Sequence, residues 1–343
     1  MTRLQVVHLD PMFRAGARRV FERAGWEVRV ASSFVEALEC TVEFVPSALL
    51  TEANAEGLRT SLTLRSIFSE LHTVLITQES IRAGPDPLTS VVHRPVDLEA
   101  LAANLRQALL ASHQPTGPPI GFVILDRRHT ILHANGEARR LFEGTFAGEH
   151  SASFDALVPL EGQLAWERPD GKWVRLFPES PQPVHWQARR RSWSEHDRTL
   201  VALLSDETTG WQHHPLIDLA FNEKAPERHP TRVLFIDAEP LDPLGVATIE
   251  AFGGIVEHAR TPHEGLRCFE REPGIRCVVV DLETLETKGR DLLLTLRGLR
   301  RDVRIVATGR PPITIDPGDE LDGMLPKPWG MFRLLNLLSR PAR

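Results

Sequence analysis

Residues 231–240 read TRVLFIDAEP and residues 275–284 read IRCVVVDLET. Each holds a short, unbroken apolar run that stops at an acid, Asp237 in the first and Asp281 in the second. An apolar run without alternation predicts a strand buried on both faces, as in a parallel sheet covered by helices. The neighbouring chain supplies those helices. A helical pattern over 244–252 stops at Gly253 and Gly254, residues that end helices well. A strand is expected over 255–259 and a helix near 264–270. A run over 305–307 ends at Thr308, and a helix over 331–338 closes the block. This alternation predicts an α/β, doubly wound parallel sheet.

The first hundred residues repeat the pattern. LQVVHL at 4–9 ends at Asp10, and a helical pattern on Phe13, Ala17, Val20, Phe21 and Ala24 stops at Gly25. A strand over 26–31, a helix over 34–41, apolar runs at 48–50, 73–76 and 91–92, and a helix over 98–110 follow. Matching the two blocks pairs Asp10 with Asp237, Glu52 (or Thr51, with a slip of one) with Asp281, Thr77 with Thr308 and Arg94 with Lys327. The separations are 227, 229, 231 and 233 residues, a slow drift that fits a duplicated fold with small loop changes.

Two stretches, HQPTGPP at 113–119 and NEKAPERHP at 222–230, lack an apolar period and read as linkers. They leave three blocks, 1–112, 120–210 and 231–343. In the middle block, strands are expected over 121–126 and 130–133, with a helix from Asn135. Antiparallel strands are expected over 173–177, 184–191 and 199–205. Five of the seven Trp lie between the two linkers (Trp166, Trp173, Trp186, Trp193, Trp211) and read as packing or a dimer face.

Composition excludes several classes. Residues 1–112, 113–230 and 231–343 carry 11, 13 and 16 basic residues against 13, 16 and 17 acidic ones. None has a basic excess, so no nucleic acid is expected. Three Cys are too few and scattered for a disulfide framework or a zinc site, which fits a reduced, cytoplasmic protein. No apolar run approaches the ~20 residues of a membrane helix, and no signal peptide is read at the start. Only four residues are Lys, which singles out Lys327.

Asp237, Asp281, Thr308 and Lys327 fall at the C-terminal ends of predicted strands, where open parallel sheets bind ligands. Such a set supports phosphoryl transfer. The Asp281 carboxylate attacks phosphorus, a divalent metal on Asp237 and Asp281 neutralises charge, and Lys327 and Thr308 hold the transferred oxygens. Taken alone, an Asp after a strand reads as a turn or helix cap.

With these residues on the page, the third block resembles a response-regulator receiver domain. The matches are Asp237 in IDAEP, Asp281, Gly289 eight residues later, Thr308-Gly309 and Lys327-Pro328. The resemblance implies a flavodoxin-like fold, with Asp281 as phosphoacceptor and Thr308 and Lys327 as its catalytic partners. It implies Mg²⁺ at Asp237, Glu239, Asp281 and Glu283. Two positions differ: the family's second acid is Ala238, and its aromatic switch residue is Met324 in a chain without Tyr. The first block resembles the same family in degenerate form, a pseudo-receiver kept as a docking module, with Glu52 as a mimic of a modified Asp the lesser reading.

The middle block resembles a PAS domain, an α+β fold with an antiparallel sheet. The matches are Gly121–Asp126, Ile131-Leu-His-Ala-Asn135, Leu141-Phe142, and Leu200–Ser205 followed by Asp206-Glu-Thr208. The resemblance implies a ligand of unknown identity. The family's flavin motif is absent, and His133, His150 and His185, the candidates for a haem ligand, read as ordinary residues. His213-His214-Pro215-Leu216 faintly resembles a histidine-kinase phosphoacceptor helix and reads as linker.

The expected protein is a receiver–PAS–receiver protein of the bacterial two-component type. A sensor histidine kinase or phosphotransfer protein loads Asp281, and a downstream protein reads the result. A homodimer is expected, with no nucleic-acid, membrane or enzymatic output. Two alternatives stand: a non-phosphorylated pseudo-receiver scaffold dimerising through PAS, and a PAS-based small-ligand sensor.

Overall fold

The computed structural model describes residues 2–78, 86–110, 118–141, 154, 174–176, 186–193, 198–205, 214–221, 231–285, 289–310, 321–327, 329 and 331–339. The chain forms two compact units. One gathers a parallel sheet and an antiparallel sheet, and the other holds a second parallel sheet.

The first parallel sheet is built from β1 (Arg3–Val7), α1 (Pro11–Arg23), β2 (Glu27–Ala31), α2 (Phe34–Glu43), β3 (Ala48–Glu52), α3 (Ala55–Ile67), β4 (His72–Thr77), β5 (Thr89–His93) and α4 (Leu98–Leu110). Its order is β2-β1-β3-β4-β5, the flavodoxin-like doubly wound arrangement. Side chains alternate between faces, so both runs of a strand are apolar. Leu4 and Val6 of β1 pack with Phe21 of α1 and Leu105 of α4. Val7, on the opposite face, packs with Leu38 of α2 and Leu64 of α3.

The antiparallel sheet follows: β6 (Gly121–Asp126), β7 (Ile131–Ala134), α5 (Gly136–Leu141), β8 (Val174–Leu176), β9 (Trp186–Trp193), β10 (Arg198–Ser205) and α6 (Pro215–Phe221), in the order β7-β6-β10-β9-β8. Phe122, Ile124, Leu200, Ala202 and Leu204 share one core with Leu64 and Ile67 of α3 and with Ile217 and Phe221 of α6. Helix α3 is therefore covered by its own sheet and by the next one. Every residue from Gly57 to Ile67 except Arg59 is buried. Gly57 is the tightest point, because a Cβ there would sit 1.9 Å from the Glu52 carbonyl oxygen.

The second parallel sheet repeats the first with β11 (Arg232–Ile236), α7 (Pro243–Ala251), β12 (Ile255–Ala259), α8 (Pro262–Arg271), β13 (Ile275–Asp281), α9 (Leu282–Leu285), α10 (Gly289–Leu299), β14 (Arg304–Gly309), β15 (Gly323–Pro326) and α11 (Met331–Ser339). The order β12-β11-β13-β14-β15 is the same. Val278 and Val280 face a core with Phe269 and Leu296, while Cys277 and Val279 face one with Ile249 and Leu334. Local devices repeat too. Asp10 and Asp242 each cap a helix that starts with proline, and Gly25 and Gly253 both end it at φ +82°. Ser33 and Thr261 cap α2 and α8 alike, each accepting the N–H of Glu36 or Glu264, whose side chain accepts the N–H of the residue before the cap.

No helix among the described residues is long and apolar enough to cross a membrane. His150, His185, Trp166, Trp173, Trp211, Phe142, Asp206-Glu-Thr208, His213, Pro328, the 222–230 linker and most of the 113–119 linker lie outside the described residues.

Candidate functional site

Parallel strands end on one side, so the second sheet gathers its strand-end residues at a single edge. Ile236 pairs with Val280, Asp281 with Thr308, and Thr308 with Leu325. Asp237 and Asp281 therefore sit side by side at the ends of β11 and β13. Lys327 Nζ lies between them, 2.7 Å from Asp237 Oδ2 and 3.2 Å from Asp281 Oδ1. All three are largely buried. The ammonium offsets the repulsion between the two buried carboxylates. Burial disfavours the Lys327 ammonium, but its close contacts with the Asp237 and Asp281 carboxylates outweigh that and raise its pKa.

Asp281 is also a helix cap. Its Oδ2 accepts from the Thr284 backbone N–H at 3.2 Å and from the Thr284 hydroxyl at 3.0 Å. The Thr284 oxygen in turn accepts the Ala238 N–H at 3.1 Å. The capping role and the chemical role thus fall on different oxygens, since Oδ1 has no hydrogen-bond partner among the described residues and lies against the Lys327 ammonium. Thr284 escaped sequence reading, although a hydroxyl three residues after a strand-end Asp is a legible capping signal.

The other predicted residues are placed less centrally. Glu239 Oε1 pairs with Arg310 at 3.2 Å, with both side chains well exposed. Glu283 is exposed on α9. Neither joins Asp237 and Asp281, and no group of three or more His, Cys, Asp or Glu arranged for a metal occurs among the described residues. The Asp237–Asp281 pair by itself suits a hard cation such as Mg²⁺, which takes one or two carboxylates and fills its remaining positions with water. The unsatisfied Asp281 Oδ1 fits that role. Thr308 is buried, and its oxygen accepts from the Trp329 indole at 2.7 Å. Met324 is exposed on β15.

The first sheet presents a different edge, and its hydrogen bonds correct the expected equivalences. His8 N–H donates to Ala31 O, as Asp237 N–H does to Ala259 O. His8, not Asp10, therefore stands in the place of Asp237, while Asp10 caps α1 as Asp242 caps α7. Glu52 pairs with Ile76, as Asp281 pairs with Thr308, so Ile76 and not Thr77 fills the threonine position. Arg94 N–H donates to Thr77 O and Lys327 N–H to Gly309 O, which confirms Arg94 opposite Lys327.

The charges at this edge follow. Arg94 donates to Glu52 Oε1 at 2.8 Å. His8 Nδ1 accepts the Asp10 N–H, and its Nε2 lies 3.1 Å from Glu52 Oε1 and 2.8 Å from the Arg94 guanidinium. Burial pushes the His8 pKa down, and Arg94 adds to this against the pull of Glu52. One carboxylate and one guanidinium cancel here, whereas the second sheet keeps a carboxylate in excess.

In the antiparallel sheet, Asn135 and His133 hold the end of α3. Asn135 Nδ2 donates to Ser66 O and Ile120 O, and its Oδ1 accepts from Phe122 and Ala138 N–H. His133 Nε2 lies 3.4 Å from Ile67 O, and burial pushes its pKa down to about 4.

No protein-family model matches the chain, and no curated protein matches it. Among solved structures, a response regulator receiver domain protein from Clostridium thermocellum shares 20% identity over 32% of this chain and 90% of that one, at a TM-score of 0.29. A CheY-like receiver domain protein from Methanospirillum hungatei JF-1 shares 22% identity over 31% of this chain and 88% of that one, at a TM-score of 0.26. A Burkholderia pseudomallei response regulator with a phosphorylated aspartic acid, calcium ion and citrate shares 24% identity over 32% of this chain and 66% of that one, at a TM-score of 0.28.

Proposed function

We propose that the chain is a two-component signalling protein whose second parallel sheet accepts a phosphoryl group on Asp281. The observation that carries this reading is the Lys327 ammonium held between Asp237 and Asp281 at the C-terminal edge of the sheet. Asp281 Oδ1, which no hydrogen bond holds among the described residues, attacks the phosphorus of a phosphohistidine on a sensor kinase or phosphotransfer protein. The P–O bond forms as the P–N bond breaks, and the departing imidazole takes a proton from solvent. Lys327 then pairs with the new phosphoryl oxygens, and Thr308, beside Asp281 in the sheet, supplies a hydroxyl. Asp237 and Asp281 would hold Mg²⁺, which would neutralise charge on the transferred group.

The remaining assignments complete the reading. The first sheet is a pseudo-receiver, since its balanced Glu52–Arg94 pair leaves no charge to draw a divalent cation. The antiparallel sheet is a PAS-like module. Output is contact with a downstream protein, without nucleic acid or an enzymatic product, and the working form is a cytoplasmic homodimer.

Incubation of the full chain with Mg²⁺ and a small phosphodonor tests the proposal. The expected result is a mass gain of one phosphoryl group that Asp281→Asn abolishes. No gain at millimolar Mg²⁺ overturns it in favour of the scaffold. One observation favours a second reading, a small-ligand sensor. A cavity of about 810 Å³ in the first unit is lined by Ser47, Phe68, His72, Leu88, Leu109 and His133, among others. A small molecule released on denaturation would support that reading.

A further inference from the structure

Trp329 lies two residues beyond Lys327, and its ring stacks on the buried Phe235 of β11 at 5.3 Å and 25°. Its Nε1–H donates to Thr308 Oγ1 at 2.7 Å. An indole nitrogen can only donate, so the Thr308 oxygen is fixed as acceptor in this bond. The hydroxyl keeps one proton of its own, and among the described residues nothing takes it. Thr308 is 1% exposed, so water is not its ready acceptor. A buried hydroxyl with an unused proton is costly unless something fills the place. That hydroxyl belongs to the residue paired across the sheet with Asp281.

The first sheet serves as an internal control. Ile76 stands where Thr308 does, and Val96, two residues beyond Arg94, stands where Trp329 does. Both pack into an ordinary apolar core. The fold thus accepts apolar residues at both places, and donor and acceptor are lost together from the edge that has no excess carboxylate.

We propose that Trp329 is a positioning residue that locks Thr308 Oγ1 as acceptor and presents the Thr308 O–H to an oxygen of a phosphoryl group on Asp281. This rests on the reading of Asp281 as phosphoacceptor. No bond is made or broken by Trp329, and its indole hydrogen bond persists in both states.

The test is a BeF₃⁻ titration of the full chain at fixed Mg²⁺, with BeF₃⁻ standing in for the phosphoryl group. Trp329→Phe keeps a ring on Phe235 and removes the donor. It is expected to weaken BeF₃⁻ binding about tenfold, the scale of one hydrogen bond to a charged group. The same loss is expected in a Thr308→Ser background, which keeps the hydroxyl, and none in Thr308→Val. Equal losses in all three backgrounds would show simple packing and overturn the proposal, as would no loss in the unsubstituted background. Wild-type chain that ignores BeF₃⁻, or binding that survives Asp281→Asn, sinks the phosphoacceptor reading and this proposal with it. A measurement without variants stands beside these. The Trp329 indole proton should stay protected from solvent exchange when BeF₃⁻ is bound, and its release on binding overturns the proposal.

Discussion

Arg94 donates to Glu52 across 2.8 Å at the edge of the first sheet, in the place where the second sheet sets Lys327 against Asp281. The longer Glu side chain and the planar guanidinium satisfy each other directly, and the second carboxylate of the pattern is replaced by His8. The two edges share a frame and differ in what they attract.

Labelling should therefore be confined to one edge. Phosphodonor treatment is expected to add at most one phosphoryl group per chain, and Glu52→Gln should leave the extent unchanged. Mass spectrometry of Asp281→Asn checks this, and a modified Glu52 peptide would contradict it.

Lys327→Ala leaves Asp237 and Asp281 buried without their cation. Removing one partner from such a group costs about 3 kcal/mol. Urea unfolding should show that loss, and millimolar Mg²⁺ should restore part of it. The same contact gives a pH signature. The Lys327 pKa is raised above 10.5, so its stabilisation is complete below the unfolded value and is lost as pH rises through the folded one. The second unit should melt earlier in strong alkali, and the variant should lose that dependence.

His133 acts at the other end of the pH scale. Its folded pKa is about 4, below its ordinary 6.5. The unfolded chain takes up a proton first, so stability is complete above pH 6.5 and falls as the pH drops toward 4, by about 3 kcal/mol from this group. His8 pushes in the same direction. Thermal melts of His133→Gln should show a shallower slope over that window than wild type, and equal slopes would refute the assignment.

Gly57→Ala places a methyl group 1.9 Å from the Glu52 carbonyl, an atom that cannot move without the strand. A loss of about 3 kcal/mol is expected, at the upper end for an overpacked site. Gly265→Ala meets the Ile236 side chain, which can rotate, and should cost less. Paired denaturation curves would test the order.

The sequence exposed the two sheets because strands covered on both faces are unbroken apolar runs, and Asp281 and Lys327 were legible as strand-end residues. The register of the repeat was not. Asp10 looked like the partner of Asp237 because both are acids after an apolar run. Backbone pairing depends on strand position rather than residue type, and it puts His8 there. Helix α3 was not legible in another way. Its residues Arg59, Thr60, Ser61, Thr63 and Ser66 break the apolar period that marks a helix, yet all but Arg59 are buried, because a second sheet from later in the chain covers them. The Thr308–Trp329 bond joins residues 21 apart, and nothing local in the sequence announces it.

The double cover of α3 makes the first unit a body joined by a seam rather than by its tether. Ser66 and Ile67 offer their carbonyls across that seam to Asn135 and His133, and the apolar faces meet behind them. A protease cut between residues 110 and 118 would sever the peptide and leave the fragments travelling together. They would separate only when the seam itself unzips.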